Sequence, residues 1–184
     1  MKIWDQNLKG NNSAIDNFLS GEDIVLDQEL FIFDIEASIA HALELKEIKV
    51  LNATECKKII TSLNKLAKLF KAKKYKLTAK YEDCHSAIED FLIKELGPIG
   101  KKIHTGRSRN DIDHTIFKMN LMDLSANLLT ELNQLIATLL KVAEEGKSTI
   151  VLAYTHGQPA QPTTWGHYLG SFIEVLQRDV DRIN

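Results

Sequence analysis

Residues 111–146 read DIDHTIFKMNLMDLSANLLTELNQLIATLLKVAEEG. Leu121, Leu124, Leu128, Leu132, Leu135, Leu139 and Val142 step by three or four, the spacing of one helical face, and no breaker interrupts them. Ile116, Met119, Leu129, Ile136 and Leu140 add apolar surface outside that stripe. A helix wetted along one side does not need it, so the pattern predicts burial on more than one face. Asn110 or Asp111 can cap the start, and Gly146 closes the end.

Outward from this rod the chain stays helical. Downstream, a short link from Thr149 to Gln161 leads to Pro162, favourable at a first helical position. Trp165, Tyr168, Leu169, Phe172, Leu176, Val180 and Ile183 then keep helical spacing to the last residue, which reads as a longer polypeptide cut within a helix. Upstream, Glu82–Leu96 is predicted to be a helix burying Ala87, Ile88, Phe91 and Leu92 and ended by Gly97-Pro98. Asn52 with Glu55 three residues on is a capping-box pattern, followed by a core stripe of Cys56, Ile59, Ile60, Leu63, Ala67 and Phe70. The lysines at 57, 58, 65, 68, 71, 73 and 74 lie off that stripe, on a solvated face. A first helix is expected from Leu30 to Leu45, with Ile35, Ile39 and Ala42 inside and Asp34, Ser38 and His41 on its wet face. Residues 1–28 read as an irregular arm, with turn signals at Gly10–Ser13 and Ser20-Gly21. The fold class is all-α.

Composition narrows the function. The 184 residues are 44% apolar and 26% charged, as in soluble globular chains. A net charge of −2 offers no basic footprint, so nucleic acid is not the expected partner. No apolar run approaches the ~20 residues that span a bilayer, and MKIWDQNLKGNNS lacks the apolar core of a signal peptide. Cys56 and Cys84 have neither metal-type spacing nor a disulfide framework. The expectation is a cytoplasmic protein without membrane, metal or cofactor.

Three polar segments could carry chemistry. His104-Thr-Gly-Arg-Ser-Arg-Asn-Asp111 sits at the mouth of the long helix, where free N–H groups and the dipole favour an anion. Arg107, Ser108, Arg109 and Asn110 add side-chain donors; by composition alone the segment reads first as a basic surface loop. Thr155-His-Gly-Gln-Pro-Ala-Gln-Pro162 holds a histidine in a proline-stiffened loop, either an acid/base group or an incidental one. Glu82-Asp-Cys-His85 fits a helical first turn on dipole grounds alone.

Taken together, HTGRSRND, THGQPAQP and the EDxH segment, with FDIEASIAHA at 33–42, resemble the argininosuccinate lyases of the aspartase/fumarase superfamily across nearly the whole chain. The resemblance implies an N-terminal helical domain over 1–104 and the first part of a long-helix bundle over 105–184. It implies β-elimination of argininosuccinate to arginine and fumarate, a step of arginine biosynthesis. Proton removal beside a carboxylate then needs donors fixed where charge develops. By the same resemblance His156 is catalytic in proton transfer, and Arg107, Ser108, Asn110, Thr155, His85 and, more weakly, Gln158 bind the dicarboxylate substrate. Two departures stand out. A substrate-contacting serine of the family falls at Asp23, and the family's glycine-serine-serine loop has no counterpart in these residues, so the stretch alone is not expected to be active.

Helix length gives a separate expectation. A helix over 111–145 is about 50 Å long, and the ten residues from Gly146 to His156 reach at most ~33–36 Å. Asn110 and His156 then stay roughly 15 Å apart in one chain and meet only if copies pack antiparallel. The family resemblance implies a homotetramer whose sites draw on several subunits. The alternatives are another lyase of the superfamily, such as an adenylosuccinate lyase, or a non-catalytic, crystallin-like helical oligomer.

Overall fold

A computed structural model describes residues 23–78 and 80–184. The turn signals at 10–13 and 20–21, and the side chain of Asp23, lie outside the described residues. Among the described residues there are six α-helices and one two-stranded sheet. The chain divides into two compact units between Asn120 and Leu121.

In the first unit, α1 (Asp23–Glu47), α2 (Ala53–Lys71) and α3 (Cys84–Leu96) enclose the core. The first of these begins seven residues earlier than the expected Leu30. Its apolar stripe starts at Ile24 and continues through Phe31, Ile35, Ala42 and Leu45, all buried, so the helix has a face to bury from its first turn. The polar stripe is not a wet face either. Asp34 and Ser38 are both 0% exposed, because α3 and the loop that carries Arg107 cover that side.

α2 opens with the expected capping box. Asn52 Oδ1 accepts from the Glu55 N–H at 2.9 Å, and Glu55 Oε2 accepts from the Asn52 N–H at 3.0 Å. Cys56, Ile59, Leu63 and Leu66 are buried, Ile60, Ala67 and Phe70 line the core edge, and the lysines face out. Phe70 meets Phe31 at a ring separation of 4.6 Å, and Tyr75 stacks on the same ring at 5.8 Å. α3 is capped by Asp83, whose Oδ1 accepts from the Ser86 N–H at 2.7 Å. It ends at Gly97, and the short α4 (Pro98–Lys101) and a 3-10 turn (Lys102–His104) follow.

α5 (Arg109–Glu145) is a single element of 37 residues, about 55 Å at 1.5 Å per residue. It starts ahead of Asn110 and Asp111, which therefore do not cap it. The Ser108 carbonyl already accepts from the Ile112 N–H, placing both residues inside the first turn. The expected burial on several faces is not made within the chain. Of the whole helix only Ile116 is buried, and Leu121, Leu124, Leu128 and Leu140 remain about half exposed.

The second unit holds the rest of α5, a hairpin and α6 (Trp165–Ile183). The expected link is strand rather than loop: β1 (Ile150–Thr155) pairs antiparallel with β2 (Gln158–Thr164). The run IVLAYT is β-branched and aromatic, and the pairing Thr155↔Gln158 leaves His156-Gly157 as a two-residue turn. Pro162 consequently sits in β2 opposite Leu152, and Thr164 caps α6 by accepting from the His167 N–H. The helical class holds, with this hairpin added.

Replacing Asn52 with Ala removes the acceptor at the mouth of α2 and should lower stability by about 1 kcal/mol. The midpoint of urea unfolding measures it, and an unchanged midpoint would show that the cap is idle.

Candidate active site

The loop between α4 and α5 is pinned from several sides. Ile103 is buried, and Lys102 Nζ reaches Glu55 Oε1 at 2.6 Å, on the capping-box partner of Asn52 in α2. The Thr105 carbonyl lies 3.1 Å from His41 Nε2 on α1. Gly106 turns the chain with φ +66°, a left-handed conformation that glycine adopts without a Cβ penalty. Arg109 then bonds Glu82 at 2.6 Å, Asp83 at 3.0 Å and the Ser86 hydroxyl at 3.3 Å, fixing the first turn of α5 on the start of α3.

The deepest polar contact is at Asp34. Its Oδ2 accepts from His85 Nδ1 at 2.6 Å; its Oδ1 accepts from Arg107 Nη2 at 2.9 Å and from the Ser38 hydroxyl at 3.4 Å. The other ring nitrogen of His85 donates to Asp113 Oδ1 at 2.6 Å, on a side chain that is itself 57% exposed. Burial pulls the His85 imidazole toward neutrality, but the hydrogen bond and charge of Asp34, and then Asp113, push it up to about 9. Burial likewise raises Asp34, and the bond and charge of His85 with the charge of Arg107 hold it below the usual carboxylate range. An imidazolium clamped between two carboxylates is the state these contacts select.

Cys84 is adjacent, so Asp34, Cys84 and His85 place three possible metal-ligand atoms within 4.8 Å. Their chemistry opposes a cation. Both Asp34 oxygens already carry cationic donors, and burial together with the Asp34 charge pushes the Cys84 thiol up, keeping it protonated. The cluster is an ion-pair knot.

The residues singled out in the sequence fall into two groups, one in each unit. In the first, His85 and Arg107 meet on Asp34, while Ser108 and Asn110 are exposed at the start of α5. Arg107 and Ser108 also line a cleft of about 530 Å³ with Glu36, His41 and Asp111; His85 and Asn110 are not in its wall. The Arg107 guanidinium is therefore already engaged by a protein carboxylate. In the second unit, Thr155, His156 and Gln158 sit together at the hairpin tip, all exposed. His156 has φ +50° and Gly157 φ +74°, the left-handed pair of a type I′ two-residue hairpin turn. Sequence reasoning does not single out Asp34 or Asp113. The signal for Asp34 is its place in the Asp34–Ser38–His41 stripe; Asp113 carries none outside the folded contact.

A family described as Lyase matches residues 9–184. The chain is 38% identical over 174 residues to an argininosuccinate lyase of Ruthia magnifica, covering 94% of this chain and 36% of that protein. It is 35% identical over 184 residues to one from Desulforamulus reducens, covering 100% and 40%. The chain thus spans about two-fifths or less of the length of these curated relatives. Among solved structures, an EDDS lyase variant with bound fumarate superposes with a TM-score of 0.76 at 25% identity, over 95% of this chain and 35% of that one. A fumarate lyase:delta crystallin from Brucella melitensis gives 0.68 at 16% identity, over 94% and 44%, a likeness of fold. No described helix is long and apolar enough to cross a membrane.

Because the pair raises His85 above its ordinary 6.5, its stabilisation is complete below pH 6.5 and is lost as pH climbs through about 9. Each tenfold gain in proton affinity is worth ~1.4 kcal/mol, so that limb should amount to about 3 kcal/mol. Thermal unfolding between pH 6 and 10 should show it in the parent and flatten it in His85→Gln; parallel curves would contradict the clamp.

Proposed function

The chain belongs to the lyase family, and on that premise we propose that it forms part of an argininosuccinate lyase, eliminating arginine from argininosuccinate to leave fumarate. The observation that carries this reading is the 104–111 segment. It is wording shared by resemblance with that family, folded here so that Ser108 and Asn110 stand exposed at the open N-terminal turn of a long helix. Free N–H groups and the dipole at that turn favour a carboxylate. Arg107 holds the segment from below through Asp34. His156 is the proton-transfer group, and Thr155 and Gln158 flank it at the turn.

The chemistry asks for two things. A proton must leave the carbon next to a carboxylate, and the negative charge that spreads onto that carboxylate must meet fixed donors. The hairpin presents an imidazole on a two-residue turn with little backbone freedom, and the loop presents hydroxyl, amide and main-chain donors. His85 adds a cationic donor, provided that Asp113 gives up its outer nitrogen to the substrate.

We further propose that the two groups combine between copies of the chain in a homo-oligomer, with a tetramer as the reading the family resemblance implies. Two features support it: the 37-residue α5 runs without interruption between Asn110 and the hairpin, and its leucines at 121, 124, 128 and 135 are about half exposed. Helices packed side by side would bury that stripe. A cytoplasmic setting suits the two cysteines, Cys56 and Cys84, both free and buried.

In the full-length gene product, His156→Asn should lower fumarate release, followed by absorbance, by about 100-fold or more. Asparagine tolerates the left-handed turn, so the fold and the oligomer should persist. Unchanged turnover removes His156 from the mechanism. Asn110→Leu should weaken substrate binding, and mixing the two variants should restore part of the activity through hybrid oligomers. Absence of recovery despite demonstrated subunit exchange would rule out shared sites.

A further inference from the structure

Asp34 is the most deeply buried charged side chain among the described residues, and its bond to His85 has so far been given no task toward substrate. A buried carboxylate is a poor way to add stability, since a well-packed apolar residue commonly serves as well. What it does supply is direction. One oxygen holds His85 Nδ1 from α3 and the other holds Arg107 Nη2 from the 104–111 loop, so one group on α1 sets the position of two segments. Arg107 is almost enclosed, with its Nε buried and without a hydrogen-bond partner, so the pull of Asp34 outweighs an imperfect fit.

With Nδ1 fixed inward, His85 can only turn Nε2 outward. There it meets Asp113, an exposed side chain on the solvent face of α5 rather than a second buried partner. That outer nitrogen is therefore already matched to a carboxylate acceptor at the surface. We propose that Asp34 is a positioning residue, aiming the outer nitrogen of His85 at one carboxylate of a dicarboxylate substrate, with Asp113 as the group that substrate displaces. This rests on the lyase reading for the identity of the substrate, but not for the geometry. The groups facing His85 are Asp34 and Asp27 from α1, Asp83 and Cys84 from its own helix and cap, Arg107 from the loop and Asp113 from α5. Of these, Asp34 contributes most to keeping the ring charged.

The test uses the full-length protein and two readouts. Carbethoxylation of His85, followed by peptide mass spectrometry across pH, reports its protonation without any turnover. The midpoint near 9 should fall by at least one pH unit in Asp34→Asn; an unmoved midpoint overturns the proposal. In steady-state assays Asp34→Asn should raise KM for argininosuccinate at least tenfold while kcat changes less than threefold. Combined with His85→Gln it should cost no more than His85→Gln alone; additive losses would mean that Asp34 does not act through His85. Should Asp34→Asn fail to fold, Asp113→Asn decides the matter from the surface. It should lower the Kd for fumarate severalfold in calorimetry, and unchanged or weaker binding refutes the displacement. A parent protein that does not turn over argininosuccinate defeats the functional reading, while the His85 midpoint still settles the positioning.

Discussion

A single buried carboxylate organises the first unit. Asp34 lies beneath two segments and is satisfied only when a ring nitrogen of α3 and a guanidinium of the 104–111 loop arrive together. Taking one cation away leaves a charge stranded in a medium that solvates it poorly, so the two arrivals depend on one another. The same logic operates nearby: Arg109 gathers Glu82 and Asp83, and Lys102 gathers Glu55. The polar loop is thus held by charge pairs whose partners come from α1, α2 and the start of α3, and its exposed residues are presented on a rigid base.

The second unit works by a different constraint. A type I′ two-residue hairpin turn demands two left-handed residues, and here histidine fills the first place. Histidine tolerates that conformation better than a β-branched residue does, yet at some cost relative to glycine. Around the turn the unit is closely built. Gly146 faces the Trp165 ring, and Gly166 faces the backbone of Ala143 and Lys147, approaches that a Cβ at either glycine would block. Beyond that junction, much apolar surface is left uncovered, including Trp165, Tyr168 and Phe172 in a ring-to-ring ladder.

How much of this can be read from sequence varies with how local the cause is. The capping box at Asn52, the stop at Gly97 and the length of α5 depend on neighbours within a few residues, and all three are legible. The hairpin is not, because proline and glutamine dominate 158–162 and disguise a strand whose partner, IVLAYT, carries the β signal. Periodicity assigns Asp34 to a wet face, since period alone separates faces without saying what will cover them. Composition presents Arg107 and Arg109 as free donors, whereas both are engaged by acids from distant parts of the chain.

The sequence by itself determined the helices, the capping box at Asn52 and the polar wording of the loop, because these follow from periodicity and short-range hydrogen bonding. Only tertiary structure decided which charges became partners. Asp34 and His85 are 51 positions apart, and Asp34 and Arg107 are 73 apart. No local preference encodes such pairs; they exist because packing α1, α3 and the loop together excludes water, and ions shut away from water must find each other.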